Sequence, residues 1–304
     1  LDQVRGDEYK VYFERIKKEL SLVKEKGYAD YFLIVADMVK WAKERQILVG
    51  PARGSAAGSL VCYILGITEI NPLDFGLIFE RFIDKTRDDL PDIDIDFDDE
   101  KRDTVKRYLS EKYGYDRVCN IATFATFKGK NSLDEVGKAF KLPKVDIETV
   151  KKYLVARSGA DMRNDLTIMD TIEMSPEAKE IVEKYDEIQY AIILEGQLRH
   201  MGTHAAGVII GDRPLTEIMA LYGKEGKDER ISSFEMEDLK KIDLLKIDTL
   251  GITELNILSK AGEFLGWKIE NFYNIPLDDE ETMNGFREVD VEGIFQFVGD
   301  STKS

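Results

Sequence analysis

Residues 90–97 read LPDIDIDF, with aspartates at 92, 94 and 96 and isoleucines at 93 and 95. Alternation this strict is the pattern of a β-strand, whose successive side chains point to opposite faces. Asp92, Asp94 and Asp96 then share one face at a spacing of roughly 7 Å, and Ile93 and Ile95 share the other. Like charges so arranged repel, and a cation relieves them. Hard carboxylate oxygens suit Mg²⁺, and two such ions can clamp the attacking and leaving oxygens of a phosphoryl transfer. A half-buried edge strand with a solvated acidic face would carry the same letters. The stretch predicts a strand and leaves its chemistry open.

Upstream, GPARGSAAGS (50–59) falls between a short apolar run, ILV, and an apolar helical segment built on Leu60, Val61, Tyr63 and Ile64. Unpaired N–H groups at a helix start favour anions. Gly54 would let a phosphate approach, Ser55 would donate a hydroxyl bond and Arg53 a fork of charged donors. A plain N-cap with small residues is the structural alternative. No Lys-Ser/Thr pair ends the turn, so it is not a Walker A loop. Downstream, KIDLLKIDTLG (241–251) alternates again and sets Lys246 and Asp248 on one face. That pair reads either as a simple ion pair or as a third metal ligand beside a phosphate-binding lysine. Arg81 and Arg87 precede the carboxylates by a short step, and Lys128 and Lys130 lie in a polar turn. His200 and His204 have the i, i+4 spacing of some zinc sites but lack the HExxH glutamate and any cysteine partner.

Around these stretches the chain reads as mixed α/β, then helical from about 132 to 200, then mixed α/β again, with a last helical region over the final 50 residues. Helices are expected over 7–26, on a face made by Tyr9, Tyr12, Phe13, Ile16, Leu20 and Val23, and over Asp30 to Arg45. A basic helix is expected over 100–113, and strands in VCNIATF (118–124) and AAGVII (205–210). The 304 residues allow two compact units. Hydrophobic content of 43% and charged content of 34% argue against wholesale disorder. No apolar run reaches the roughly 20 residues of a membrane span. Cys62 and Cys119 form no CxxC pair, which disfavours a zinc ribbon and fits a reducing, cytoplasmic setting. A net charge of −16 speaks against nucleic acid only at the level of the whole surface, since a binding stripe is local. The chain starts at Leu1 and ends in STKS, which reads as a piece of something longer.

Taken together, YFLIVADMVKWAK, VGPARGSAAGSLVCYILGIT, NPLDFGLIFERFI, LPDIDIDFDDEKRD, THAAGVII and LLKIDTLG resemble, in order, the C-family DNA polymerases, that is, the alpha subunit of bacterial DNA polymerase III. The resemblance covers nearly the whole chain. It implies an α+β fold, with a polymerase-beta-like nucleotidyltransferase palm (a mixed sheet with helices) and an inserted helical thumb. The palm would span 1–123 and 202–251, the thumb 124–201, and 252–304 would begin the fingers, GIFQF resembling the family's GVFQ segment.

By the same resemblance Asp92, Asp94 and Asp248 are the catalytic, metal-holding aspartates. Alternation alone could not set Asp96 aside. Arg53, Gly54, Ser55, Arg81, Arg87 and Lys246 would face the nucleotide's phosphates, and Tyr31 would lie near that site. Independently of the resemblance, Lys128 and Lys130 in ATFKGKNS are candidates to contact the DNA backbone, beside the plainer reading of a solvated turn. The implied cofactor is Mg²⁺ as two ions, with Mn²⁺ able to substitute. The implied reaction is template-directed nucleotidyl transfer from a dNTP to a primer 3′-hydroxyl. The implied partners are primer-template DNA, dNTP, a sliding clamp and other replisome subunits, with no membrane. Ala52 stands where the family usually has glycine, which is tolerable only if that residue does not need positive φ. The family's N-terminal phosphoesterase-like domain, most of its fingers and its C-terminal modules have no counterpart here. That fits a truncated piece or a reduced, phage-type relative. The alternative reading is a non-catalytic palm-thumb fragment that binds DNA or a partner.

Overall fold

A computed structural model describes residues 7–86, 91–155, 167–223, 229–242 and 244–297. In chain order its helices are α1 (Asp7–Glu25), α2 (Ala29–Glu44), α3 (Leu60–Ile64), α4 (Arg102–Tyr113), α5 (Gly129–Ala139), α6 (Lys144–Lys152), α7 (Ile168–Met174), α8 (Pro176–Lys184), α9 (Ile188–Leu194), α10 (Met236–Lys240), α11 (Thr253–Leu265), α12 (Ile269–Tyr273) and α13 (Glu280–Arg287). The strands are β1 (Asp94–Asp98), β2 (Val118–Thr126), β3 (Leu198–Ile210), β4 (Leu221–Gly223), β5 (Arg230–Ser232) and β6 (Leu245–Ile252). They form one mixed sheet in the order β1-β6-β3-β2-β5-β4. The fold is therefore of the α+β class. No helix among the described residues is long and apolar enough to cross a membrane.

The chain divides into two compact units. The first comprises Leu1–Ile121, Ala205–Ser232 and Leu239–Ser304. Its core is set by the alternation of β1 and by one face of α2. Ile93, Ile95 and Phe97 join Phe32, Val35, Met38 and Val39, with Val105 and Leu109 from α4 and Ile247 from β6. The α2 residues recur at three- and four-residue steps, which is the helical period that puts them on one side. β1 runs parallel to β6, with Asp94 opposite Asp248, and β6 pairs antiparallel with β3, Asp248 lying opposite Gly207. The hairpin of β4 and β5, joined to the sheet by Asn120 opposite Ile231, has no counterpart in the sequence reading.

The second unit comprises Ala122–His204 and Ser233–Asp238. Its core is helical, drawn from α5 to α9: Leu133, Val136, Ile147, Val150, Ile168, Ala178, Val182, Ile188 and Ala191. A buried carboxylate organises one end of it. Glu195 accepts from the N–H groups of Thr167 (2.8 Å) and Ile168 (3.0 Å), supplying acceptors that the first turn of α7 lacks. Gly129 sits so close that an added Cβ would lie 2.7 Å from Glu195 Oε1.

Three expectations change. The apolar face read along α1 does not all turn inward, since Tyr9, Phe13 and Leu20 are exposed while Glu19, Leu22 and Val23 are buried. A charged pair, Arg15 with Glu19 (2.6 Å), shares the buried face, and apolar periodicity cannot register it. The short strand expected at ILV is a single bridge, Val49 to Phe97, because only Gly50 N–H to Asp96 O and Asp98 N–H to Leu48 O extend the pairing. And β1 begins at Asp94, so Asp92 precedes the strand instead of continuing its ladder.

Candidate functional site

Three carboxylates converge in the first unit. One oxygen each from Asp92, Asp94 and Asp248 lies within 4.8 Å of the others. Parallel register brings Asp94, the first residue of β1, beside Asp248 in the middle of β6, and Asp92 enters from the segment leading into β1. Asp92 is exposed, Asp94 half-buried and Asp248 buried. Three hard oxygen donors at this separation fit a divalent cation of the Mg²⁺ type.

The electrostatics are those of crowded acids. Burial raises the Asp248 carboxyl to about 6, with Asp92 adding to the rise and Lys246 opposing it. Burial also raises Asp94, again with Asp92, against Arg53 and Lys246. Lys246 Nζ stands 2.6 Å from Asp248 Oδ2. Arg53 donates from Nη1 to Asp96 Oδ1 (3.0 Å), and its Nε lies 3.8 Å from Asp94 Oδ2. Asp96, which alternation had left as a candidate, is thus buried against Arg53 and stands outside the converging trio.

Behind the carboxylates, Tyr31 is buried, and its hydroxyl oxygen accepts from Ile93 N–H at 3.0 Å. It fixes the backbone between Asp92 and Asp94 from within the core. Tyr31 thus lies against the candidate site, close enough for Asp92 and Asp248 to raise its hydroxyl's pKa further beyond the effect of burial.

The glycine-rich turn is built differently from a helix start that offers bare N–H groups. Residues Gly54–Gly58 form a 3₁₀ turn that precedes α3. The first N–H groups of α3 are already taken: Leu60 and Val61 donate to Glu19, at 3.1 and 3.0 Å, and Cys62 to the Ser59 hydroxyl. Ser59 Oγ in turn donates to Glu19 Oε2 (2.9 Å). Arg15 clamps the other side, donating to the carbonyls of Gly58 (2.7 Å) and Leu77 (3.1 Å). An anion at this turn would have to use the exposed Gly54–Ser55 end and Arg53, and not the α3 terminus. Gly54 has φ +58°, a left-handed conformation that favours glycine. Gly58 permits a close approach, as an added Cβ would meet Ile78 O at 2.8 Å. Ala52 does not have positive φ, so alanine is tolerated there.

Other predicted residues are placed as follows. Arg81 is exposed at the end of a 3₁₀ turn, Phe79–Arg81. Arg87 lies outside the described residues. Lys128 and Lys130 are exposed at the start of α5 in the second unit. His200 and His204 fall on β3; four residues of strand separate them by about 13 Å, too far to share a metal ion. Glu19 and Arg15 were missed. Their only signal, an i, i+4 charge pair on a helix, is the ordinary mark of a solvated face.

Residues 2–251 match the family described as bacterial DNA polymerase III alpha NTPase domain. The DNA polymerase III subunit alpha of Deinococcus radiodurans is 38% identical over 94% of this chain, which covers 22% of that protein. That of Caulobacter vibrioides is 38% identical over 94% of the chain and is covered to 25%, and that of Thermus aquaticus is 36% identical over 97% and is covered to 24%. The chain thus spans about a quarter of the length of the curated relatives it matches.

Proposed function

Because the chain belongs to the bacterial DNA polymerase III alpha family, we propose that it is the catalytic palm, with an inserted thumb, of a replicative DNA polymerase. The observation that carries this reading is the convergence of Asp92, Asp94 and Asp248 beside two cations, Arg53 and Lys246. The palm comprises 1–123 and 202–251, the thumb 124–201, and the fingers begin at 252–304. Substrates are primer-template DNA and dNTP, and other replisome subunits, a sliding clamp among them, are the partners of the full-length protein.

Two divalent cations, Mg²⁺ with Mn²⁺ as substitute, supply the activation of a primer 3′-hydroxyl and offset charge on the transferring phosphates. Asp92, Asp94 and Asp248, whose oxygens converge, are the residues that would hold them. Lys246 and Arg53, with the Ser55 hydroxyl and the Gly54 backbone, take the β,γ-phosphates, where fixed positive charge counts most in a site shielded from water. Arg81 and Arg87 face the same phosphates. Lys128 and Lys130 contact the DNA backbone.

Primer extension with dNTPs and Mg²⁺ tests this, using wild type beside Asp94→Asn. Asp94→Asn should lower turnover by roughly a hundredfold or more with the fold intact by circular dichroism. Near wild-type turnover in the variant would remove Asp94 from the chemistry. DNA binding indifferent both to Mg²⁺ and to the substitution, with no extension, would favour a non-catalytic fragment.

A further inference from the structure

Two of the three converging carboxylates already carry a cation. Lys246 Nζ lies 2.6 Å from Asp248 Oδ2, and Arg53 Nε lies 3.8 Å from Asp94 Oδ2. Both cationic side chains keep part of their surface in solvent, 19% for Lys246 and 26% for Arg53. Arg53 also has a second anchor outside the trio, Asp96 Oδ1 at 3.0 Å from Nη1.

We propose that Lys246 and Arg53 are resident counter-ions of the carboxylate cluster, handed over to the phosphates of an incoming nucleoside triphosphate when divalent cations take Asp248 and Asp94. The proposal rests on the metal and nucleotide roles given above and adds a coupling between them. An ammonium and a divalent ion on the one Asp248 carboxylate repel each other strongly in a partly buried site. The ammonium must therefore leave, and a partly buried cation that loses its anion needs another. A triphosphate supplies it. Arg53 makes the same exchange without losing its place: Nη1 stays on Asp96 while the remaining guanidinium N–H groups turn from Asp94 to a phosphate oxygen. Asp96 is then a positioning residue for Arg53. Metal and nucleotide each improve the binding of the other by the same factor, as linkage requires.

Mn²⁺ binding followed by electron paramagnetic resonance at pH 8, without nucleotide, tests the first half. Lys246→Met and Arg53→Met should each bind Mn²⁺ roughly tenfold more tightly than wild type, since an ion pair no longer has to be broken. Mn²⁺ affinity equal to or below wild type in both folded variants overturns the proposal. Acylation of Lys246 in the wild-type chain, read by mass spectrometry, tests the handover itself and does not depend on a variant folding. Labelling should rise several-fold on adding Mn²⁺ and fall again on adding a non-hydrolysable dNTP analogue. A lysine that merely stood nearby would show no such cycle, and an unchanged rate overturns the proposal. Asp248→Asn separates the two levels. If it leaves Mn²⁺ binding untouched, the metal site itself is lost and the handover with it. If it abolishes Mn²⁺ binding while Lys246 labelling in the wild-type chain stays flat on adding Mn²⁺, the metal site stands and the handover alone is wrong.

Discussion

Asp248 is buried next to Asp92 and Asp94, and that burial holds its carboxyl up at about 6 against an ordinary value of 3.8. The folded chain therefore keeps this proton more firmly than the unfolded chain does. Its contribution to stability is fully present below about pH 4 and is lost as pH rises through about 6. Free of divalent ions, wild type should lose on the order of 1–2 kcal/mol relative to Asp248→Asn between pH 4 and 7. Urea melts at fixed pH would read the difference, and Mg²⁺ should shrink it. Asp96 belongs to another class despite sharing the DIDID pattern. Its carboxylate holds Arg53 at 3.0 Å, so Asp96→Asn should leave Mn²⁺ affinity within about twofold while weakening nucleotide binding roughly tenfold. An equal loss of Mn²⁺ binding in isothermal titration would return Asp96 to the metal ligands.

α1, α3 and the glycine-rich turn act as one device at the scale of elements. Glu19 sits at 0% exposure on α1 and accepts from Ser59 Oγ, Leu60 N–H and Val61 N–H, while Arg15 on the same helix binds two carbonyls near the turn. Glu19→Gln would turn an amide N–H₂ towards groups that themselves donate and would strip Arg15 of its charge partner. The expected cost is about 2–4 kcal/mol, measured as a lower urea midpoint with unchanged slope. Ser59→Ala, which removes one cap, should cost only about 1 kcal/mol. A Glu19→Gln loss no larger than that of Ser59→Ala would show that Arg15 and the backbone hold the turn without the carboxylate. The same device recurs at Glu195 and the first turn of α7, where a buried carboxylate again replaces missing helix acceptors.

Across the molecule, the residues of the candidate metal site all belong to the first unit, whereas Leu133, Ile168 and Ile188 form a separate core in the second. Leu133→Ala should cost about 2–5 kcal/mol of stability and leave Mn²⁺ affinity at the carboxylates unchanged; a parallel fall in Mn²⁺ binding would mean that the site depends on the second core. Much of this plan was legible in the letters. Alternation located β1 and β6 because a strand has period two, α2 was visible because its apolar residues recur at the helical period, and the family pattern named Asp92, Asp94 and Asp248. Periodicity is a local signal, however, and three features depended on chain segments far apart in sequence. That Asp94 meets Asp248 is a matter of parallel register between strands some 150 residues apart. That Asp96 turns to Arg53 follows from the close approach of Gly50 to β1, where an added Cβ would lie 3.0 Å from Asp96 Cβ. That Glu19 is a buried cap and not a surface charge depends on α3 arriving end-on against α1. The sequence by itself determined which residues could carry charge on which face; the tertiary structure decided which charges meet, because ion pairing and desolvation depend on distance through space and not along the chain.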